Sequence, residues 1–108
     1  MHIIFGDEVA EQIRQKHLVL ELETFIVEGK EQTAYCVVPP EAIAIPEMPD
    51  LDRHARIHQT LVEAWNDQRY DTVLEGISHL KGKFGGELDS FYEILQDRIK
   101  EQEVVHKS

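Results

Sequence analysis

Hydrophobic and polar residues alternate along the first third of the chain, most clearly in residues 18–27. There leucines and an isoleucine occupy even-numbered positions, and Glu21 and Glu23 lie between them. This period of two predicts a β-strand with one buried and one solvated face. The runs of residues 2–5 and 33–38 are rich in β-branched and aromatic residues, and they predict two more strands.

The strands at residues 18–27 and 33–38 are joined by the polar segment Glu28–Gln32, which contains a glycine. We therefore expect these two strands to form an antiparallel hairpin. Between the first two strands, residues 8–16 predict a short helix whose acidic residues come first and whose basic residues come last. Asp7 is its predicted N-cap.

Four prolines lie between Val38 and Leu51 and interrupt the strand pattern. Because proline lacks an N–H group and fixes φ, we expect this segment to be extended. Residues 41–46 within it alternate weakly. That pattern fits both a short edge strand and an ordered crossover loop.

From Leu51 onward, apolar residues return every third or fourth position, the period of amphipathic helices. Three helices are predicted, from Leu51 to about Trp65, from Tyr70 to Leu80 and from Glu87 to about Glu103. The predicted fold is α+β, an N-terminal β-α-β-β unit with a small, mostly antiparallel sheet and three C-terminal helices packed on it.

The length of 108 residues suits a single domain. Residues 1–49 are its strand-rich part, residues 50–104 its helical part and residues 105–108 a frayed tail. The 21 acidic and 11 basic residues give a net charge of -10, which repels phosphate backbones and anionic lipids, so neither nucleic acid nor a membrane is an expected partner. Cys36 is the single cysteine. Without a disulfide, a signal peptide or a long apolar stretch, the sequence predicts a cytoplasmic protein.

Histidines on the first predicted C-terminal helix suggest a binding site. Asp50, His54 and His58 recur every four residues and share one helix face, which suits zinc or another divalent metal, and His79 on the next helix is a further candidate ligand. Each residue also has a structural explanation, Asp50 as an N-cap, His54 as a solvent-facing residue, His58 at the edge of the core and His79 at a helix C-terminus. No cofactor is predicted, and a metal is the alternative.

A glycine-rich loop, Gly82–Gly86, precedes the last predicted helix. Backbone N–H groups in such a loop can bind phosphate, which makes Lys83, Gly85 and Gly86 candidate anion-binding residues. Against this, Glu87 follows in the first turn of the helix and would repel an anion. The spacing also matches no known phosphate motif, so a connection between helices is the simpler explanation.

Trp65, Tyr70 and Phe84 are interface candidates, because an exposed aromatic side chain anchors protein contacts at low entropic cost. An edge of the small sheet offers a second route to a partner chain. No catalytic residue is predicted. The leading hypothesis is a non-enzymatic domain that binds another protein, or a second copy of itself as a homodimer. The alternatives are a metal- or small-ligand-binding domain that uses His54 and His58, and an acidic inhibitor or nucleic-acid mimic.

Overall fold

Three strands and four α-helices make up residues 2–107, the part of the backbone that the computed structural model describes, with side chains described for residues 2–102. In chain order they are β1 (His2–Phe5), α1 (Asp7–Arg14), β2 (Leu18–Val27), β3 (Lys30–Val38), α2 (Leu51–Asn66), α3 (Tyr70–Leu80) and α4 (Asp89–Lys107). This order confirms the predicted α+β fold, with a β-α-β-β unit ahead of three helices.

The sheet has the strand order β1-β3-β2, and both pairings are antiparallel. The long hairpin of β2 and β3 closes through Glu28 and Gly29, whose φ angles are 52° and 78°. Two consecutive positive φ angles are typical of a tight two-residue hairpin turn. The predicted turn, Glu28–Gln32, was therefore too long, since Lys30 already pairs with Val27.

A β-bulge interrupts β2 at Leu22. Glu21 pairs with Tyr35 and Glu23 pairs with Ala34, which leaves Leu22 without a partner of its own. A bulge bends the strand that carries it and increases its twist. The residues that follow Glu23 in β2 are all exposed, so the end of the hairpin extends beyond the core.

The two faces of the sheet contact different helices. Ala34, Cys36 and Val38 of β3 are buried in the main core, to which α2, α3 and α4 also contribute. Side chains of a strand alternate between faces, so the residues between these three lie on the opposite side. That side is covered by α1, and Ala10 and Val19 are buried there.

Asp7 binds the sheet instead of capping α1. Gly6 holds the N-cap position with a φ angle of 96°, and Asp7 is the first residue of the helix. The predicted cap was wrong because a glycine makes the sharp turn from strand to helix. The Asp7 carboxylate accepts a hydrogen bond from the Tyr35 hydroxyl group, which ties α1 to the sheet face it covers.

The proline-bracketed segment forms helical turns. Turns of 3₁₀ helix span Pro40–Ala42 and Ile45–Asp50, so the predicted extended conformation was wrong, and residues 41–46 form no edge strand. Pro40 and Pro46 both lie in first turns. Proline is tolerated there because its missing N–H group would have no partner within the helix.

Helices α2 and α3 approach each other closely at Gly76. A Cβ atom at this position would lie 3.0 Å from Cδ1 of Leu61, so the absence of a side chain permits the contact. Helix α4 ends at Lys107, beyond the predicted end near Glu103 and into the segment expected to fray. No helix within residues 2–107 is both long and apolar enough to cross a bilayer.

Candidate functional site

His58 is a buried polar residue of α2 that forms a hydrogen bond with the backbone of β2. It is fully buried, with Nε2 2.6 Å from the Glu21 carbonyl oxygen and Nδ1 2.8 Å from the Tyr92 hydroxyl oxygen. Because a carbonyl oxygen only accepts, Nε2 carries the hydrogen and Nδ1 accepts from the tyrosine. His58 thus satisfies a backbone carbonyl group in an edge strand, next to its bulge.

Burial holds His58 in its neutral form. Removal from water lowers the pKa of His58 to about 4, despite a smaller opposing effect of the hydrogen bond to Glu21. Burial also raises the pKa of Tyr92 far above its ordinary value, so Tyr92 keeps the proton that it donates. Neither ring nitrogen of His58 therefore offers a free lone pair to a metal ion.

His54 lies one turn earlier on α2 in a different environment. It is 6 % exposed, and its Nδ1 atom is buried without a hydrogen bond, 3.4 Å from Oε1 of Glu47. The same Oε1 atom accepts a hydrogen bond from the Phe84 backbone N–H group at 2.7 Å. The Phe84 ring contacts both histidine rings edge-on, each at a centroid distance of 6.3 Å. His54 is thus packed like a core residue, so its predicted solvent-facing position was wrong, and its Nδ1 atom forms no hydrogen bond.

The four candidate metal ligands do not converge. Asp50 is exposed and pairs with Arg53 at 3.4 Å, with no side-chain hydrogen bond that caps α2. His79 lines a cavity with Arg53 and His54, whereas His58 binds the sheet. Among residues 2–102, no group of three or more His, Cys, Asp or Glu side chains is arranged to hold a metal ion. The geometry gives zinc no support, and the metal site stays a prediction.

Carboxylates of the chain itself bind the glycine-rich loop. The Gly82 N–H group donates to Oδ1 of Asp89 at 2.8 Å, and the Phe84 N–H group donates to Glu47 at 2.7 Å. The loop therefore binds anionic groups through its backbone, as its glycine content suggested. Two of the N–H groups that a phosphate would need are already occupied.

The three candidate anion-binding residues of this loop lie in different surroundings. Gly85 has a φ angle of 66° and packs so closely on Ala42 that a Cβ atom would lie 2.1 Å from the Ala42 carbonyl oxygen. Gly86 turns the chain with a φ angle of 75°. Lys83, in contrast, lines the cavity that also contains His79. Gly85 and Gly86 thus shape the loop, and Lys83 is the member of this set that faces a cavity.

The three aromatic interface candidates also differ in their exposure to solvent. Trp65 and Tyr70 are partly exposed and pack on each other near the turn between α2 and α3, with ring centroids 5.5 Å apart. Both stay interface candidates. Phe84 is fully buried against His54 and His58, so its proposed role in an exposed interface was wrong.

Exposed apolar side chains lie at the β1 edge of the sheet. Ile3 and Phe5 are 45 % and 48 % exposed, and the Phe5 ring lies 6.1 Å from the ring of Phe25. Ile3, Phe5, Phe25 and Val27 pair with residues 30, 32, 34 and 36 of β3, which are alternate positions of one strand. These four side chains, here called the sheet patch, therefore share one face of the sheet.

The backbone of β1 is also available for pairing. The Gly6 N–H group donates to the Thr33 carbonyl oxygen at 3.1 Å. Bonded and non-bonded pairs alternate in an antiparallel ladder, so the N–H and C=O groups of Ile3 and Phe5 point away from β3. Within residues 2–107 no strand pairs with this side of β1, and β1 carries no Asp, Glu, Lys or Arg residue, no proline and no bulge.

An acidic recess adjoins the sheet patch at Val27. It has a volume of about 470 Å³, and the carboxylates of Asp7, Glu28 and Glu31 line it, opposed by the single cation of Lys30. The apolar patch and the negative recess share Val27 at the end of the hairpin, whereas Glu31 and Thr33 of the recess lie on the opposite face of the sheet from the patch. The patch and the recess together are the candidate functional site.

Sequence reasoning named a sheet edge as a binding route but did not identify β1. The signal that could have identified it is the absence of Asp, Glu, Lys and Arg from His2–Phe5, within a chain whose net charge is -10. Arg53 and Arg56, which line a cavity between α2 and α3, were also missed. Their spacing of three residues places them on one side of a helix, a weak signal on its own.

Comparison of the chain with models of known protein families, with curated proteins and with solved structures finds no match.

Proposed function

We propose that this chain is a protein-binding domain whose β1 edge pairs with an extended segment of another protein. The observation that carries this proposal is the sheet patch, four partly exposed apolar side chains on one face of the sheet, two of which lie on β1, a strand with unpaired backbone groups. An added strand would form main-chain hydrogen bonds with Ile3 and Phe5, and every second side chain of that strand would lie beside the side chains of Ile3 and Phe5. Exposed patches of this kind often mark interaction sites.

Charge favours a basic partner segment. The recess beside the patch carries three carboxylates and one lysine, and the net charge of the chain is -10. A partner that alternates apolar residues with lysine or arginine complements both features. A second copy of this chain would bring two negative surfaces together, so we propose a different protein as the occupant.

Two further parts of the sequence interpretation belong with this proposal. We propose a reducing compartment, the cytoplasm, because the one cysteine is buried, and burial, with a smaller contribution from Glu87, raises the pKa of Cys36 to about 11. An acidic inhibitor of a basic protein would use the same recess and patch, so this alternative differs only in the consequence for the partner.

A defined peptide probe tests the proposal. The labelled protein is titrated with a short synthetic peptide that alternates valine with lysine, and amide hydrogen exchange is followed by NMR. We expect slowed exchange at the Ile3 and Phe5 amides and binding that weakens with added salt. A peptide that alternates valine with glutamate is the charge control and should not bind.

Matched variants identify the surface. Ile3→Lys should abolish binding of the lysine peptide, because it places a cation in the patch against a cationic segment. Ile45→Lys makes the same change at a residue that is 80 % exposed on the 3₁₀ turn and should bind as the parent does. Equal binding by both variants, or unprotected Ile3 and Phe5 amides, refutes the proposal. A dimer in sedimentation equilibrium that Ile3→Lys dissociates would make a second copy the occupant.

A further inference from the structure

Two adjoining cavities lie in a groove between α2 and α3. Their volumes are about 680 and 380 Å³, and both are lined by Arg53, Ile57 and His79. Leu61 and Gly76 are buried and line the larger cavity, which gives it an apolar floor. Volumes of this size are typical of sites for small ligands. We call the two cavities together the helix groove.

The helix groove is cationic in an acidic chain. Arg53, Arg56 and Lys83 line it, and Glu75 is the one carboxylate among the lining residues. Arg53 pairs with Asp50 at 3.4 Å, but both side chains are at least half exposed, so water or a ligand can replace this contact at little cost. Arg56 and Lys83 form no ion pair within residues 2–102. These three positive charges are therefore available to an anion.

The smaller cavity also contains an unsatisfied buried group. His54 lines it and is 6 % exposed, and its Nδ1 atom forms no hydrogen bond and lies 3.4 Å from Oε1 of Glu47. Buried polar atoms are nearly always hydrogen-bonded in folded proteins, and an exception requires an explanation. A polar ligand in the groove, directly or through a bound water molecule, would supply one.

We infer that the helix groove binds a small organic anion, a phosphate monoester or a carboxylate joined to an apolar group. Arg53, Arg56 and Lys83 bind the anionic group, since guanidinium groups bind phosphate and carboxylate with paired hydrogen bonds. The apolar part lies on Ile57 and Leu61, which line the larger cavity. The groove shares no residue with the sheet patch, so this inference and the proposed protein binding can be tested independently of each other.

Titration with simple compounds followed by NMR tests the inference. The probes are phenyl phosphate, benzoate and phenol, with inorganic phosphate as the anion that lacks an apolar part. We expect saturable shifts of the Ile57 and Gly76 amides with phenyl phosphate or benzoate, and the tighter of the two identifies the anionic group. Phenol and inorganic phosphate should bind at least about tenfold more weakly, because phenol lacks the anionic group and inorganic phosphate lacks the apolar group.

Arginine variants locate the site. Arg53→Gln combined with Arg56→Gln should weaken binding of the tighter probe by about tenfold or more, as expected for the loss of charge-assisted hydrogen bonds. Arg14→Gln combined with Arg69→Gln removes two exposed arginines that do not line the groove, and it should bind as the parent does. Absence of saturation at millimolar probe, equal shifts with phenol, or equal loss in both double variants overturns the inference. Melting temperatures verify that each variant is folded.

Discussion

The two edge strands of the sheet differ in how the rest of the chain protects them. β2 has a bulge, its Glu21 carbonyl group binds His58, and the side chains of Glu21 and Glu23 bind Gln59 and Arg98. β1 has no Asp, Glu, Lys or Arg residue and no bulge, and within residues 2–102 no side chain forms a hydrogen bond with its backbone. Edge strands are commonly protected against unwanted pairing by charges, bulges and covering elements. The protein applies all three to β2 and none to β1.

One row of side chains across the sheet shows the same contrast. Ile3, Cys36 and Leu20 are neighbours on adjacent strands and share a face, yet Ile3 is 45 % exposed and the other two are at most 4 % exposed. The helical layer therefore covers the β2 side of the row and stops before β1. A difference within one row cannot come from hydrophobicity, because isoleucine is as apolar as leucine. It comes from where the helices lie, which makes the β1 edge the better candidate for pairing with another chain.

Loss of the His58 contact should have the largest effect on stability, because this contact holds the backbone of β2, the protected edge strand. His58→Ala leaves the Glu21 carbonyl and the Tyr92 hydroxyl groups without their partner and creates a cavity in the core. We expect the free energy of unfolding to fall by about 3 to 5 kcal/mol. Urea denaturation measures this change, and His79→Ala, an exposed histidine on α3, should cost less than about 0.5 kcal/mol. Equal losses of unfolding free energy in the two variants would show that the buried hydrogen bonds of His58 do not stabilise the fold.

Acid should weaken the same contact by an intermediate amount. The pKa of His58 is about 4 in the folded state, below its ordinary value of 6.5, so the unfolded state binds the proton first as pH falls. The contribution of His58 to stability is therefore complete above about pH 7 and is lost as pH falls towards 4. Between pH 7 and pH 5 we expect a loss of about 2 kcal/mol.

The comparison with His58→Gln isolates this titration, because glutamine does not ionise and its amide can still donate and accept. Unfolding free energies of parent and variant are measured at both pH values. The parent should lose more than the variant by about 2 kcal/mol. A variant that loses as much as the parent would assign the pH dependence to the carboxylates instead of to His58.

The sequence predicts the elements of this fold well because hydrophobic periodicity is a local property. The period of two in residues 18–27 and the period near 3.6 after Leu51 both correspond to observed elements. Residues 45–50 were assigned wrongly because two prolines fit an extended chain and the first turn of a helix equally well. The length of the hairpin turn depended on positive φ at Glu28, a non-glycine residue that seldom adopts it.

The candidate site was less accessible to sequence reasoning because it depends on relative positions of distant segments. His58 repeats with His54 and Asp50 at metal-ligand spacing, yet its partners lie 37 and 34 residues away in β2 and α4. Exposure of the sheet patch depends on where α2, α3 and α4 stop covering the sheet, and no local pattern encodes that limit. Lys83 and His79 were placed in separate hypotheses, and only the packing of α3 and the following loop brings both to one cavity.

The smallest expected effect on stability is at the unprotected edge. Ile3→Ala removes a side chain that is already 45 % exposed, so the apolar area returned to water is small, and we expect the free energy of unfolding to fall by less than about 1 kcal/mol. Urea denaturation of Ile3→Ala beside Ile45→Ala, a change at an 80 % exposed residue, measures the difference. A loss of 2 kcal/mol or more, the cost usual for a core position, would mean that Ile3 is part of the core and that β1 is protected after all. A small loss leaves the apolar surface of β1 unexplained by folding alone, because that surface would then contribute little to the stability of the chain that carries it.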